Sequence, residues 1–397
     1  MLRTLTIKNF KSIVDLTLEL GRFNVFIGEN GCGKSNILEA LGMAAGAESA
    51  RLSYEDLMLR GMRVAKPSMM CNAFRESTST VIDIMTGWAS GPEEVPYYVP
   101  CFLKDDGSRW RIPVRPLLAE SVDSGNEASA GAFGTLSAGE LAQVRARTLA
   151  VLQQDSTHGG MARQRLQAEE HLRAYAIYCA STLALRGLQV QSRHEPLGIY
   201  GEGLDVAIAQ LPDALRAELL EHARMIAWLD DLEIDRGGAR KLQGDKPGRS
   251  VSELYFADRF LSDERRVFSA ENANEGILHV LFHLVLFLHP QGPRLLGIDN
   301  IETALNPHLL RHLVKALAGI AAAHDRQALV TTHNPAALDG LNLHDDEQRL
   351  FIVSRDDDGH TQARRVKVKP EHVVNGAKLK LSELWMRGLL GGITTHF

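Results

Sequence analysis

The stretch Gly28-Glu29-Asn30-Gly31-Cys32-Gly33-Lys34-Ser35 decides the fold. It matches G-x-x-x-x-G-K-[ST], a phosphate-cradling loop that joins a strand to a helix. The apolar run Phe23-Asn24-Val25-Phe26-Ile27 predicts the strand before it, and Asn36-Ile37-Leu38-Glu39-Ala40-Leu41 predicts a helix after it, running to about Ala45. Glycines let backbone N–H groups wrap a polyphosphate, which then lies at a helix N-terminus where the peptide dipoles favour an anion. In this geometry Gly28, Gly31 and Gly33 shape the loop, Lys34 meets the β- and γ-phosphates, and Ser35 gives a hydroxyl to Mg²⁺.

Working outward, Leu2 to Ile7 and Val14 to Leu20 alternate like strands around a turn at Asn9-Phe10-Lys11-Ser12. The P-loop strand therefore follows an antiparallel pair, whereas a Rossmann or small-GTPase layout opens on its phosphate-binding strand. Residues 51 to 72 read as helical and then irregular. Ser79 to Met85, Tyr97 to Leu103 and Arg109 to Val114 read as strands, the last two around Asp105-Asp106-Gly107-Ser108, with prolines marking them as edge strands. Glu120 to Gly139 is a Ser/Gly/Ala-rich linker. Leu141 to Gly187 and Leu211 to Leu232 have helical spacing and predict a helical insertion over about 137 to 232. Its Arg145, Arg147, Arg163, Arg165 and Arg173 lie near Asp155, Glu169 and Glu170, which favours a solvated face over a DNA-binding one. The chain divides into an N-terminal lobe with the P-loop (1–118), a linker and helical insertion (119–235) and a C-terminal lobe (236–397).

Composition excludes several classes. With 397 residues, 45% of them hydrophobic and 23% charged, the chain has material for a large core. A net charge of −5 argues against coating nucleic acid by bulk charge, though not against a local basic patch. Cys32, Cys71, Cys101 and Cys179 are scattered and form no C-x-x-C, as expected of a reducing cytosol rather than a disulfide framework or zinc site. The N-terminus has no signal-peptide pattern. The apolar run Ile277 to Leu288 is too short to span a membrane, so no membrane partner is expected. It predicts a buried helix, and its His279, His283 and nearby His289 read as core or interface residues, not metal ligands.

Arg236 to Arg249 is Gly-, Lys-, Arg- and Pro-containing and reads as a loop, followed by strands at Val251 to Phe260 and Arg266 to Phe268. Leu295-Leu296-Gly297-Ile298-Asp299 is an apolar strand ending in an acid, as the second half of a P-loop site requires: its carboxylate sits beside the loop and holds Mg²⁺. Ala328 to Pro335 gives another buried strand, ending in Thr332 and His333, where a side chain can sense the γ-phosphate.

Taken in order, Asn9-Phe10-Lys11-Ser12, the P-loop with Asn36 after it, Asn274-Glu275-Gly276, Ile298-Asp299-Asn300-Ile301-Glu302 followed by Leu305-Asn306-Pro307, and Thr332-His333-Asn334-Pro335 resemble the ABC-type AAA family ATPases related to RecF, SMC and OLD heads. The resemblance covers about 1–115 and 250–350. It implies an α/β fold, a P-loop NTPase of the ABC-ATPase type with a mixed sheet, antiparallel N-terminal strands and a helical insertion. It implies ATP held by Gly28, Asn30, Gly31, Gly33, Lys34, Ser35 and Asn36, and Mg²⁺ held by Ser35 and the Walker B Asp299. His333 takes the place of the switch histidine, and Asn274 and Gly276 that of a signature motif that caps ATP on another subunit. A better-spelled signature, Leu136-Ser137-Ala138-Gly139-Glu140, lies too far from the Walker B strand.

Two departures bear on chemistry. Asn300 stands where the family has its catalytic glutamate; an amide orients water but takes no proton. Glu302 is the nearby carboxylate, able to act as base if the backbone after Asp299 turns suitably; otherwise the chain is a slow ATPase with nucleotide serving mainly as a switch, and slow turnover is the expectation. Asn274 replaces the usual serine. Near the C-terminus Asp356-Asp357-Asp358-Gly359 reads as a solvated hairpin turn rather than a TOPRIM nuclease loop. Leu381 to Gly388 reads as a short helix docked through Trp385.

The resemblance implies a cytoplasmic ATPase that forms a homodimer or higher homo-oligomer on ATP and regulates a separate effector, a nuclease or toxin, with a bacterial role in DNA maintenance or anti-phage defence. The alternatives are a RecF/SMC-like repair ATPase that binds DNA directly, a non-hydrolysing ATP-bound scaffold, and a transporter subunit, the last disfavoured by the missing Leu-Ser-Gly-Gly-Gln. Because Cys32 lies inside the P-loop, its oxidation is expected to impair nucleotide binding; unchanged ATP affinity after oxidation refutes this.

Overall fold

A computed structural model describes residues 1–74, 81–89, 97–105, 110–111, 159–187, 196–235, 253–367, 373–374 and 377–391. The linker, the Leu136–Glu140 decoy, Arg145 and Arg147, and the Arg236–Arg249 loop lie outside these residues. The chain forms two compact units: Met1–Leu20, Ser35–Tyr175 and Arg355–Ala363 in the first, Gly21–Lys34, Ala176–Ser354 and Arg364–Phe397 in the second.

The first unit is built on a sheet ordered β2-β1-β4-β5-β6, from β1 (Leu2–Phe10), β2 (Ile13–Glu19), β4 (Val81–Trp88), β5 (Tyr97–Asp105) and β6 (Trp110–Arg111). Its pairings are antiparallel. Alternation sets the register: Leu5 and Ile7 of β1 lie opposite Leu18 and Leu16 of β2, and all four are buried. β1 runs to Phe10, past the expected turn, because Asn9 takes a left-handed φ of 58°. Its side chain holds that conformation: Nδ2 donates to Val81 O at 2.7 Å and Oδ1 accepts from Asn72 N at 3.2 Å. β5 is not the outermost strand, but among the described residues β6 covers it only at Lys104 and Asp105, and the strand partner of Pro100 is on the β4 side.

Helix α1 (Lys34–Glu48) leaves the P-loop. Its Glu39, 2% exposed, accepts from Arg63 N and Nε and pairs with Lys11, which fastens the β1–β2 turn to the helix. On α2 (Gly159–Arg173), Arg165 and Arg173 are engaged by the buried Glu169, and Arg173 also by the buried Glu48.

The second unit has a six-stranded sheet ordered β14-β13-β3-β12-β11-β7. Its strands are β3 (Phe23–Ile27), β7 (Ile177–Tyr178), β11 (Leu295–Ile298), β12 (Gln327–Thr332), β13 (Gln348–Arg355) and β14 (Thr361–Val366). β3, β12, β11, β7 and β13 run parallel. Being covered on both faces, β3, β11 and β12 read as continuous apolar runs. A separate sheet, β10-β9-β8, comprises β8 (Leu229–Asp235), β9 (Glu253–Asp258) and β10 (Val267–Ser269).

Two stretches expected to be helical contain strands. Ile177–Tyr178 follows α2 and pairs beside β11; two residues are too few to show a period of two. After α3 (Asp213–Ala223), residues 229–235 form β8, whose only buried positions are Leu229 and Leu232, a helix-like spacing.

Helix α4 (Glu275–Leu288) is buried from Ile277 onward and packs in the main core with Phe23, Val25 and Leu350. α5 (Pro307–Ala323) is amphipathic, burying Leu310, Leu313, Val314, Leu317, Ile320 and Ala321. Arg326, 3% exposed, caps the C-terminal end of α4: Nε donates to Phe287 O at 3.1 Å and its other nitrogens reach His289 O, Gly292 O and Pro293 O. Helix α6 (Leu381–Met386) docks on this core through Leu384 and Trp385. No helix among the described residues is long and apolar enough to cross a membrane.

Burial holds His279, His283 and His289 below the usual histidine range, His283 at about 3. The unfolded chain therefore binds more protons than the fold between about pH 6.5 and about 3, so stability is complete above that window and declines as pH falls through it. Denaturant midpoints measured across the window will fall with pH, and His283→Leu will flatten part of that slope.

Candidate functional site

The second unit brings Gly28, Asp299 and His333 to one end of its sheet. In register, Thr332 of β12 lies beside Ile27 of β3, Ile352 of β13 lies on the other side of Ile27, and Ile298 of β11 lies beside Val330. Gly28, His333 and Asp299 therefore leave the carboxyl ends of adjacent parallel strands, where open α/β sheets place ligands.

Two loop glycines show why the motif needs them. A Cβ on Gly28 would lie 2.1 Å from Val353 O and 2.8 Å from Cys32 Sγ, so only glycine lets the chain leave β3 against β13. Gly33 has φ 107° and Gly31 φ 76°, both left-handed. Lys34 is 5% exposed. Its Nζ donates to Gly28 O at 2.9 Å and Glu29 O at 2.8 Å and lies 3.2 Å from His333 Nδ1. Burial lowers its pKa, while Cys32, Asp299 and Glu302 oppose that shift. Asn30 is exposed at the loop tip and Cys32 is buried beneath it. Ser35 and Asn36 lie in the first turn of α1, where Asn36 Nδ2 donates to Ser12 Oγ at 2.7 Å.

The acidic half is laced to β12. Thr331 Oγ1 donates to Asp299 Oδ1 at 2.5 Å and accepts from Asn300 N at 2.9 Å. Asn300 has φ 56°, a left-handed position that asparagine tolerates better than most residues. Glu302 Oε2 accepts from Thr332 Oγ1 and Oε1 from His333 N, both at 2.8 Å. On the far side of β11, Asp299 N donates to Tyr178 O at 2.9 Å, which sets Cys179 beside it; burial, then Asp299, raises the Cys179 pKa.

Thr331 and Thr332 were not assigned roles from sequence. Their signal was present: two hydroxyls at the end of an otherwise apolar buried strand must find partners. Asn274 and Glu275 are exposed at the start of α4, where Asn274 Oδ1 caps the helix by accepting from Ile277 N at 3.1 Å. The Asp356–Gly359 turn is closed by its own groups: Asp356 accepts from His360 N at 2.8 Å and from Gln362 Nε2 at 2.9 Å. Among the described residues, Asp356, Asp358 and His360 are the one group close enough to share a cation, and these bonds are those of a hairpin turn. A hydroxyl, a carboxylate and a lysine-bearing glycine loop form a hard-oxygen, cationic donor set suited to a magnesium-bound polyphosphate.

Fold and site define a P-loop nucleotide-binding protein. Comparisons with known proteins narrow the class. Residues 4–121 match a model described as "AAA domain" and residues 191–339 one described as "AAA domain, putative AbiEii toxin, Type IV TA system". The second match begins well before residue 250, inside the stretch read as an insertion. The chromosome partition protein Smc of Coxiella burnetii is 39% identical over 72 residues, 17% of this chain and 6% of that protein. The DNA replication and repair protein RecF of Renibacterium salmoninarum is 46% identical over 61 residues, 15% of each. The matched stretches are thus a small part of either relative. An Smc head bound to the C-winged helix domain of ScpA superposes with a TM-score of 0.57 at 12% identity, over 93% of this chain and 98% of that one. An Smc head with an extended coiled coil, bound to the C-terminal domain of ScpA derived from Pyrococcus furiosus, gives 0.51 at 12%, over 92% and 96%. Identity this low speaks for the fold alone. The family models and the local identities, together with the fold, support an ABC-type ATPase of the RecF/SMC family.

Gly28→Ala is expected to push β13 from β3, to cost about 1–3 kcal/mol in denaturant unfolding, and to weaken nucleotide binding.

Proposed function

We propose that this chain binds Mg²⁺–ATP, hydrolyses it slowly, and uses bound ATP to bring two copies head to head. The observation that carries the reading is the approach of Lys34 to His333, 3.2 Å apart at the strand ends that also present Gly28 and Asp299. Lys34 would hold the β- and γ-phosphates, and Ser35 and Asp299 the metal, which supplies charge neutralisation on the phosphates. His333 would face the γ-phosphate. Asn300 would orient the attacking water without accepting its proton, which keeps turnover slow. Asn274 has its Oδ1 engaged in the cap, which leaves the amide to donate from an exposed helix N-terminus beside Gly276, as capping a partner's nucleotide requires. A ligand shared by two half-sites stabilises the interface through linkage.

The AbiEii-like AAA match supports a defence role in which the ATPase governs a separate nuclease or toxin, from the cytoplasm. The local identity to Smc and RecF supports a second reading, direct DNA binding, which predicts an ATP-dependent, steeply salt-dependent affinity.

ATP titration, hydrolysis and light scattering test the first reading. Wild type is expected to bind ATP, to double in mass with it, and to turn over slowly. Lys34→Ala should weaken ATP binding about 100-fold, and Asn300→Glu should raise turnover if its left-handed backbone persists. No ATP binding in wild type would sink the proposal.

A further inference from the structure

Glu302, three positions after Asp299, is the carboxylate that the sequence offers as base, yet its geometry points elsewhere. We propose that Glu302 is a positioning residue: it clamps the end of β12 so that His333 faces Lys34, and it is not the base that activates water. The inference deepens the ATPase reading and rests on it.

Two donors converge on the two carboxylate oxygens. The backbone N–H of His333 reaches Oε1 and the Thr332 hydroxyl reaches Oε2, both at 2.8 Å. Thr332 is fully buried, and its oxygen accepts from Asn334 N at 3.0 Å; its proton has two acceptors in reach, Asn334 O at 3.4 Å and Glu302 Oε2 at 2.8 Å, and the shorter contact is to Glu302. Only an ionised carboxylate offers acceptors on both sides; a glutamine would turn an N–H toward one of these donors. A general base must aim an oxygen at the proton it removes, and both of these oxygens are aimed at β12.

The clamp reaches the P-loop in two steps. Holding His333 N fixes the backbone at the start of the Thr332–Pro335 turn, and the imidazole of the same residue then stands 3.2 Å from Lys34 Nζ. The preceding residue pair repeats the device on the metal side. Thr331 Oγ1 bridges Asp299 Oδ1 and Asn300 N, and Ile301 N donates to Thr331 O at 3.2 Å. Thr331 thereby orients the Walker B carboxylate, while Thr332 and Glu302 orient the histidine.

Amide hydrogen exchange over residues 332–334 and steady-state hydrolysis test this together. In Glu302→Gln and in Thr332→Val, the His333 amide is expected to exchange about tenfold faster. In both, kcat should fall about tenfold with KM for ATP within about twofold, and the double variant should be no worse than either single. Thr332→Ser should restore wild-type values, and the pH profile of kcat should keep its shape in Glu302→Gln. The proposal is overturned if Glu302→Gln abolishes hydrolysis and the acid limb of that profile while amide exchange and Thr332→Val activity stay unchanged, for then Glu302 is the base. It is also overturned if neither variant changes exchange. Exchange is read without nucleotide, so a chain that does not hydrolyse ATP would refute the ATPase reading separately from the clamp.

Discussion

The parallel seating of β3 between β12 and β13 is the constraint on which the site depends. It brings Gly28 to one level with His333 and Val353, although Gly28 lies about three hundred positions before them in the chain. The contact is close enough at Gly28 that no side chain fits against Val353 O. At the loop that follows β3, Cys32 and Lys34 are buried, and the Lys34 amine bonds the loop's own carbonyls.

Within each unit, several buried polar groups are held in satisfied sets. Glu39 answers Lys11 and Arg63 in the first unit. Arg326 answers four carbonyls at the end of α4, and Thr331 and Thr332 answer Asp299 and Glu302. Such groups are costly to leave unmatched, so each set fixes one arrangement of backbone. The sets lie at turns and helix ends, where the hydrophobic core by itself would leave the chain freedom to shift.

The asparagine after Asp299 fits the same logic. Its backbone is left-handed, a conformation that asparagine enters at small cost, and its N–H is held by Thr331. The loop from Asp299 to Leu305 is therefore shaped by its bonds to β12.

What the sequence determined was the local chemistry with a short-range signature. The glycine loop between strand and helix, the apolar run of α4, the strand ending at Asp299 and the hairpin at Asp356–Gly359 were all legible, because each carries its own periodicity or turn residues within a dozen positions. The chain also declared its antiparallel opening by alternation. Pairing across distance was not legible. The two-residue strand β7 has too few positions to show a period, β8 buries residues at a helix-like spacing, and the hydroxyls of Thr331 and Thr332 give no hint of which acids they meet. Only the tertiary structure decided these, since hydrogen bonds between strand ends are chosen by which strands lie side by side, and that choice is made by the packing of the whole core rather than by any neighbour in sequence.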